Sequence, residues 1–141
     1  MSADEAIDKV AELDRDITLS DDDRERYINI LFTMHDGISC EYCCGARSVI
    51  FSDGSPACGC EHSFAMRGLA KYLITEHGDA FSDTEIAEEI GKWKTLFFPD
   101  IHLQKANVMF EKGVEVDHVS LTFNSNRGIE DRVSGGMVGD C

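Results

Sequence analysis

The stretch SCEYCCGARSVIFSDGSPACGCEH, residues 39–62, contains five of the six cysteines of this 141-residue chain. The sixth, Cys141, is the last residue. Within the stretch the cysteines follow the pattern C-x2-C-C, then thirteen residues, then C-x-C-x-H. So dense a group of thiols, with a histidine beside it, predicts a metal site or thiol chemistry.

The residues between the two cysteine groups predict a small β-hairpin. The run ARSVIF is rich in β-branched and aromatic side chains, and Asp53-Gly54 is a strong signal for a tight turn. We therefore expect a cysteine-rich hairpin over residues 39–62, with a cysteine pair at each of its open ends. Such a hairpin has the size seen in zinc ribbons.

Six local side chains are candidate metal ligands, and the C-terminal cysteine is a seventh: Cys40, Cys43, Cys44, Cys58, Cys60, His62 and Cys141. Two cysteines separated by two residues in a tight turn direct both sulfurs to one point, and a second pair across a hairpin completes a tetrahedral cage. The expected core ligands are Cys40, Cys43, Cys58 and Cys60. The alternates are Cys44, His62 and Cys141.

The surplus of ligands bears on the kind of site. A structural zinc ion is closed by four ligands, so seven candidates fit better a site that exchanges metal, holds more than one ion or performs thiol chemistry. Thiolates, with the thioether of Met137 near Cys141, favour soft ions. Zn(II) and Cu(I) are both compatible, and an iron–sulfur cluster, which four cysteines can hold, ranks behind them.

Helix signals flank the cysteine stretch. An acceptor side chain precedes an apolar stripe of helical spacing at four predicted N-caps, Ser2, Ser20, Ser63 and Ser82. Ser2 and Ser82 are each followed three residues later by a glutamate, which predicts a capping box. Gly78 and Pro99 are predicted helix ends. The two helices between Ser63 and Pro99 are expected to pack as an αα-hairpin.

These elements predict a mainly helical α+β domain. We expect one domain over residues 1–123, with helices packed around the cysteine-rich hairpin. A further helix is predicted over residues 101–112, and VEVDHVSLTF, residues 114–123, alternates like a short strand. Residues 124–141 are polar and rich in glycine, which predicts a flexible tail.

The charge of the chain restricts its partners. The net charge is -14, from 27 acidic and 13 basic side chains, and such a surface repels phosphate backbones. We therefore expect no nucleic-acid binding, and we expect a metal cation or a basic protein as partner. No stretch approaches the roughly 20 apolar residues of a membrane span, and the acidic N-terminus does not resemble a secretory signal. The chain is predicted to be soluble as given.

The sequence contains no motif that is typical of hydrolases. No carboxylate pair stands out, and the histidines outside the cysteine stretch are scattered: His35, His77, His102 and His118. The glycine-rich run GGMVG follows no predicted strand and precedes no predicted helix, so it does not fit a phosphate loop. We predict no catalytic residue.

The motif order resembles two groups of proteins. C-x2-C-C-G, then VIFSDG, then CGC before an αα pattern is loosely similar to bacterial PCYCGC-motif proteins, although the first cluster here reads CEYCCG. The segments CEYCCGA, AMRGLAKYLITEHG, GKWKTLFFP and the GGMVGDC end resemble uncharacterised archaeal cysteine-cluster proteins, which are often membrane-anchored. The resemblance implies a metal- or thiol-based role, and an extracytoplasmic location through an anchor outside this chain. It implies no specific activity.

Three functions remain open on the sequence. The first is a soft-metal-binding protein that handles or senses metal through its thiolates. The second is a thiol–disulfide redox protein, although no βαβ pattern of the thioredoxin kind surrounds Cys40. The third is an interaction module in which a purely structural zinc supports the hairpin and the helices bind a partner.

Overall fold

A computed structural model of the chain describes residues 2–41 and 46–129, apart from the side chain of Ala3. These residues form six α-helices: α1 (Ala3–Asp16), α2 (Asp21–Ile28), α3 (Glu61–His77), α4 (Asp83–Phe97), α5 (Pro99–Glu111) and α6 (His118–Thr122). A π-helical turn (Asn29–Thr33) and a 3-10 turn (Met34–Asp36) continue α2, and another 3-10 turn (Asn124–Asn126) follows α6. None of the described helices has the length and apolar character that crossing a bilayer requires.

Local capping explains where most of these helices begin. The capping boxes predicted at Ser2 and Ser82 are confirmed. Each serine hydroxyl accepts from the backbone N–H of the glutamate three residues later, and that glutamate's carboxylate accepts from the backbone N–H of the serine. Ser20 caps α2 by accepting from the N–H of Asp23. Helix α3 begins earlier than predicted, because its N-cap is Cys60 rather than Ser63.

Helix α1 packs against α3 at very short range. A Cβ added to Gly68 would lie 2.0 Å from the carbonyl oxygen of Val10, so only glycine permits this approach of the two backbones. Helix α4 contacts α3 and α6. The core takes side chains from α3 and α4, and also from α2, the π-helical turn and the segments that follow it. Its largest fully buried apolar side chains are Tyr27, Ile30, Leu31, Ile38, Ile50, Met66, Ile86, Ile90 and Phe123.

A sharp reversal after α2 directs the chain toward the cysteines. His35, Asp36 and Gly37 all have positive φ, and a Cβ on Gly37 would lie 2.7 Å from the carbonyl oxygen of Leu31. The N–H of Ile38 then donates to that same carbonyl oxygen at 2.8 Å. The reversal therefore returns the chain into the core directly before Cys40.

The predicted α+β class and the predicted cysteine-rich β-hairpin over residues 39–62 are wrong. Residues 2–41 and 46–129 contain no strand and no sheet, and their secondary structure is helical. The turn at Asp53-Gly54 does form, since the N–H of Gly54 donates to the carbonyl oxygen of Phe51. Only an isolated bridge, Ile50 with Pro56, accompanies it.

The ladder stops after one bridge because two of the N–H groups that would extend it are missing or bond elsewhere. Pro56 has no N–H to donate. The N–H of Val49 donates to the carbonyl oxygen of Ile38 at 3.0 Å instead of to the opposite arm. The carbonyl oxygen of Val49 accepts from the N–H of Ala57 on the opposite arm at 3.1 Å. It also accepts from the buried guanidinium of Arg67 at 2.9 Å, and the carbonyl oxygen of Cys58 accepts from the same guanidinium at 2.8 Å. Residues 46–60 are therefore a loop fastened to α3.

The C-terminal part of the described chain also differs from the predicted strand. Residues 114–123 contain α6, whose N-cap Asp117 accepts from the N–H of Ser120 at 2.7 Å. The helix predicted over residues 101–112 is confirmed as α5. Of the predicted tail, the residues up to 129 are described, and Arg127 donates to the carbonyl oxygen of Ala46. Residues 130–141 lie outside the described part, and the domain boundary stays a prediction.

Candidate metal centre

Cys60 occupies the N-terminal cap of α3. Its Sγ accepts from the backbone N–H of Ser63 at 3.4 Å and lies 3.3 Å from the hydroxyl of the same residue. The positive end of the helix macrodipole and the unpaired N–H groups of the first turn both favour an anion at this position. The fold therefore places this sulfur where a thiolate is stabilised.

Cys40 reaches the same point from the segment that follows the reversal at Gly37. Its side chain is buried, and its neighbour Ser39 donates to the side-chain oxygen of Asn124 at 2.6 Å. The amide nitrogen of Asn124 donates to the carbonyl oxygens of Asp36 and Arg47. One amide side chain therefore fastens the chain on both sides of residues 42–45.

His62 completes a group of three possible ligands. It lies in the first turn of α3, and its ring packs against the rings of Phe97 and Phe98, with centroid distances of 4.6 and 4.9 Å. Its Nδ1 is buried and has no hydrogen-bond partner among the described residues. The aromatic side chains hold the ring, while a polar nitrogen remains available for a ligand.

The possible ligand atoms of Cys40, Cys60 and His62 all lie within 4.8 Å of one another, close enough to hold a metal ion. The two sulfurs are 3.4 Å apart. Two sulfurs on one tetrahedral zinc lie about 3.8 Å apart, so a shift of a few tenths of an ångström accommodates the ion. Three donors leave a tetrahedral ion one ligand short.

The remaining predicted ligands fall into two sets. Cys58 is described and buried, but it does not belong to the group formed by Cys40, Cys60 and His62. Its backbone carbonyl oxygen bonds to Arg67. Cys43, Cys44 and Cys141 lie outside the described residues, so their roles as ligands stay predictions.

The surroundings of Cys60 lower the pKa of its thiol far below the ordinary value. The hydrogen bond with Cys40 is the largest cause, burial opposes it, and hydrogen bonds with His62 and Ser63 act in the same direction as Cys40. These surroundings therefore favour the thiolate form of Cys60, which is the form that binds metals and attacks disulfides.

A buried ionic cluster lies directly beside Cys40 in the chain. The carboxylate of Glu41 accepts from Lys94 at 2.9 Å and from Lys105 at 3.0 Å, and all three side chains are fully buried. The two ammonium groups also donate to the carbonyl oxygens of Thr122 and Leu121. Burial alone would raise the pKa of Glu41, but the two lysines lower it to about 2. We refer to this group as the Lys94–Glu41–Lys105 cluster.

The cluster also fixes the backbone next to Cys40. Glu41 has φ of 62°, a left-handed conformation that non-glycine residues adopt at a cost. Its Oε2 accepts from the N–H of Gly128 at 3.2 Å, in addition to the lysines. The bonds to α4 and α5 therefore hold the segment that carries Cys40.

This cluster was not predicted from the sequence, although the sequence contains a signal for it. Lys94 follows Ile86 and Ile90 by eight and four residues, which puts it on the buried face of α4. Lys105 likewise lies three residues after the buried His102 on α5. A lysine within an apolar stripe predicts a buried partner of opposite charge.

Comparisons of the chain with models of protein families, with curated proteins and with solved structures find no match. The resemblance to archaeal cysteine-cluster proteins stays a prediction. The function must therefore be argued from the geometry and chemistry of the candidate metal centre.

Proposed function

We propose that this protein binds a soft metal ion at Cys40, Cys60 and His62. The observation that supports the proposal is the convergence of three donor atoms within 4.8 Å. The residues come from two separate segments, and one of them is the N-cap of a helix that stabilises a thiolate. A soft ion is the expected occupant because thiolate and imidazole donors prefer Cu(I) and Zn(II) over hard cations.

The proposal assigns a fourth ligand to the cysteines that follow Glu41. Cys43 is separated from Cys40 by two residues, which is the spacing of a thiolate knuckle, and Cys44 is the alternative. Zn(II) requires this fourth donor for a tetrahedral site. Cu(I) is satisfied by fewer donors, so the two ions are distinguished by whether Cys43 and Cys44 are needed.

The exposure of the ligands favours a site that exchanges its ion. Cys60 and His62 are only partly buried, whereas Cys40 is 2% exposed. A chelator or the ligand of a partner can therefore approach the ion from the side of Cys60. This geometry favours metal handling or sensing over a permanently closed structural zinc.

Elemental analysis of protein purified under reducing conditions without added metal tests the proposal. We expect a stoichiometric soft metal in the wild type and its loss in Cys40→Ala, Cys60→Ala and His62→Ala. Cys58→Ala is the matched control, since it removes a buried thiol that lies two residues from Cys60 but outside the three-residue group.

Two results contradict metal binding at this site. One is a metal content that falls in Cys58→Ala as far as in Cys60→Ala. The other is a melting temperature that does not change after exhaustive chelation under reducing conditions, because coordination free energy contributes directly to folding free energy.

A second candidate function, thiol–disulfide exchange, rests on the separation of 3.4 Å between the sulfurs of Cys40 and Cys60. The Cys60 thiolate would attack a substrate disulfide and release one substrate thiolate. The Cys40 thiolate, once deprotonated, would then attack the mixed disulfide, form the Cys40–Cys60 disulfide and release the second thiolate. Metal-free protein should then reduce a small-molecule disulfide, and Cys40→Ala should stop at the mixed disulfide. If the protein reduces the disulfide no faster than free cysteine does, this function is excluded.

A further inference from the structure

A cleft of about 210 Å³ lies where the end of α1, α2 and the middle of α3 meet the turn at Gly54. It is separate from the candidate metal centre, because Lys71, which lines it, lies eleven residues beyond Cys60, about 16 Å along the axis of α3. The cleft is smaller than the roughly 300–1,000 Å³ of pockets that hold drug-sized ligands. Any occupant must therefore be a small molecule or ion.

Positive charge is concentrated in this cleft. Of the described residues that line it, three are basic, Arg15, Arg24 and Lys71, and one is acidic, Asp14. The whole chain has the opposite balance, with 27 acidic and 13 basic side chains. Such a local reversal of charge favours an anion in the cleft.

The basic side chains of the cleft keep N–H groups for a ligand. Arg24 donates to the carbonyl oxygen of Asp53 at 3.4 Å, and neither Arg24 nor Arg15 forms an ion pair with a carboxylate of the described residues. The Nζ of Lys71 donates to the carbonyl oxygen of Asp14 at 2.7 Å and lies 2.9 Å from the Oδ1 of the same residue. Because a guanidinium and an ammonium each have several N–H groups, both cations can still donate to an anion.

Tyr27, the most deeply buried residue of the cleft, brings an unsatisfied hydroxyl to it. This residue is 2% exposed, and its Oη has no hydrogen-bond partner among the described residues. Burial and the charge of Asp14 raise the pKa of the phenol far above its ordinary value, although Arg67 and Arg24 oppose them. The hydroxyl is therefore protonated and able to donate. An unpaired buried hydroxyl is costly, so it requires an acceptor.

We infer that the cleft is a binding site for a small oxyanion of the phosphate class, held by Arg24, Lys71 and the hydroxyl of Tyr27. A guanidinium can donate to two phosphate oxygens at once, and the ammonium and the phenol add further donors. Three cations against one carboxylate favour a dianion over a singly charged carboxylate. Because the net charge of -14 repels long phosphate backbones, the ligand is inorganic phosphate or a small phosphate monoester.

Titration of inorganic phosphate into the full chain, followed by isothermal titration calorimetry in a buffer without other oxyanions, tests the inference. We expect saturable binding that weakens as sodium chloride is added, since salt screens exposed charges. Glycerol 3-phosphate in place of phosphate identifies the source of the anion, because a monoester that binds more tightly is the better model of the ligand. Acetate should bind more weakly than either, and acetate that binds as tightly would overturn the assignment to a phosphate group.

Tyr27→Phe separates a ligand role of the hydroxyl from a merely structural one. The variant removes only the Oη, which has no described partner, so the stability of the anion-free protein should stay the same or rise. If the hydroxyl binds the anion, phosphate affinity should fall about tenfold. Arg24→Gln should lower the affinity at least as much, because it removes a charged donor from the exposed side of the cleft.

Arg47→Gln is the matched control for the change of charge. Arg47 is an arginine that lines a different cleft, where its guanidinium stacks on the ring of Phe32 at 4.2 Å. This variant should bind phosphate as the wild type does. Cys60→Ala should also keep phosphate binding, which distinguishes this cleft from the proposed metal site.

Three results would overturn the anion site: no saturable binding of phosphate by the wild type, wild-type affinity in both Tyr27→Phe and Arg24→Gln, or an equal loss in Arg24→Gln and Arg47→Gln. The last would show a general effect of net charge and no local site. Each of these results leaves metal binding at Cys40, Cys60 and His62 untouched, so the two proposals stand or fall separately.

Discussion

The sulfur atoms of Cys40 and Cys60 lie 3.4 Å apart although twenty residues separate them in the chain. The separation falls between that of a disulfide, about 2.05 Å, and that of two sulfurs on one zinc ion, about 3.8 Å. A small movement in one direction accommodates a metal, and a larger one in the other direction forms a covalent bond. The two sulfur atoms are therefore close to the positions that metal binding requires, and a further approach brings them to those of a disulfide.

Two substitutions of Cys60 separate its capping role from its ligand role. Serine is among the best N-cap residues and alanine is a poor one, but neither replaces a thiolate as a soft-metal ligand. We expect both variants to lose the metal. In the metal-free state we expect Cys60→Ala to be about 1 kcal/mol less stable than Cys60→Ser, as measured by urea unfolding. Equal metal-free stabilities would show that the cap contributes nothing.

Because α1 and α3 approach so closely, we expect substitution of Gly68 to destabilise the fold strongly. An added methyl group would lie 2.0 Å from the carbonyl oxygen of Val10, so Gly68→Ala must push the helices apart. We expect a loss of about 2–4 kcal/mol in the free energy of unfolding. Gly59→Ala is the control, because a Cβ at that position meets no atom within 4 Å. A Gly68→Ala variant as stable as Gly59→Ala would contradict the packing.

We expect the loop of residues 46–60 to depend on the buried ion pair that Arg67 forms with Asp14. Its guanidinium donates to Asp14 at 2.9 Å and to the carbonyl oxygens of Val49 and Cys58. Arg67→Met leaves a buried carboxylate and two buried carbonyl groups with fewer partners, so we expect a loss of about 3–5 kcal/mol.

Alkylation rates of Cys58 provide the second measurement, since a released loop exposes this buried thiol. Lys92→Ala, which removes an exposed ion pair with Glu89, should cost less than about 1 kcal/mol and leave the alkylation rate unchanged. An Arg67→Met protein with wild-type stability and alkylation rate would show that the loop is held by other contacts.

The buried His102 should make the free energy of unfolding depend on pH. Burial lowers the pKa of this imidazole to about 3, and Lys94 and Lys105 act in the same direction. In the unfolded chain a histidine has a pKa of about 6.5. Between these values the unfolded state binds a proton that the folded state does not, so stability falls as the pH falls from about 6.5 toward 3.

The measurement is urea unfolding of the wild type and His102→Gln at pH 6 and pH 5. The wild type should lose about 1 kcal/mol more than the variant between these two values, because only the wild type can protonate residue 102 on unfolding. Parallel losses in the two proteins would indicate that His102 is already charged in the folded state.

The sequence predicted the features that depend on neighbours along the chain. The capping boxes at Ser2 and Ser82 each join residues three positions apart, so their chemistry is complete within one turn. The proximity of Cys40, Cys60 and His62 also followed in part from spacing, since a turn at Asp53-Gly54 returns the chain.

The features that the sequence did not predict correctly depend on residues far away in the chain. The hairpin was wrong because the N–H of Val49 donates to Ile38 instead of to the opposite arm, and Pro56 has no N–H to donate. The meeting of Glu41 with Lys94 and Lys105 spans more than fifty residues, so the local pattern can predict a buried lysine on α4 but cannot identify its partner. Cys58 lies outside the group of Cys40, Cys60 and His62, so its role as a ligand stays a prediction.

The amide of Asn124 has a consequence for the nascent chain. It bonds to Asp36 and Arg47, which flank residues 42–45, and it accepts from Ser39 beside Cys40. During synthesis Cys40 and Cys60 leave the ribosome long before this amide does. The clamp can close only after residue 124 has emerged, so the site acquires its final shape after α3 to α6, which precede this residue, have left the ribosome.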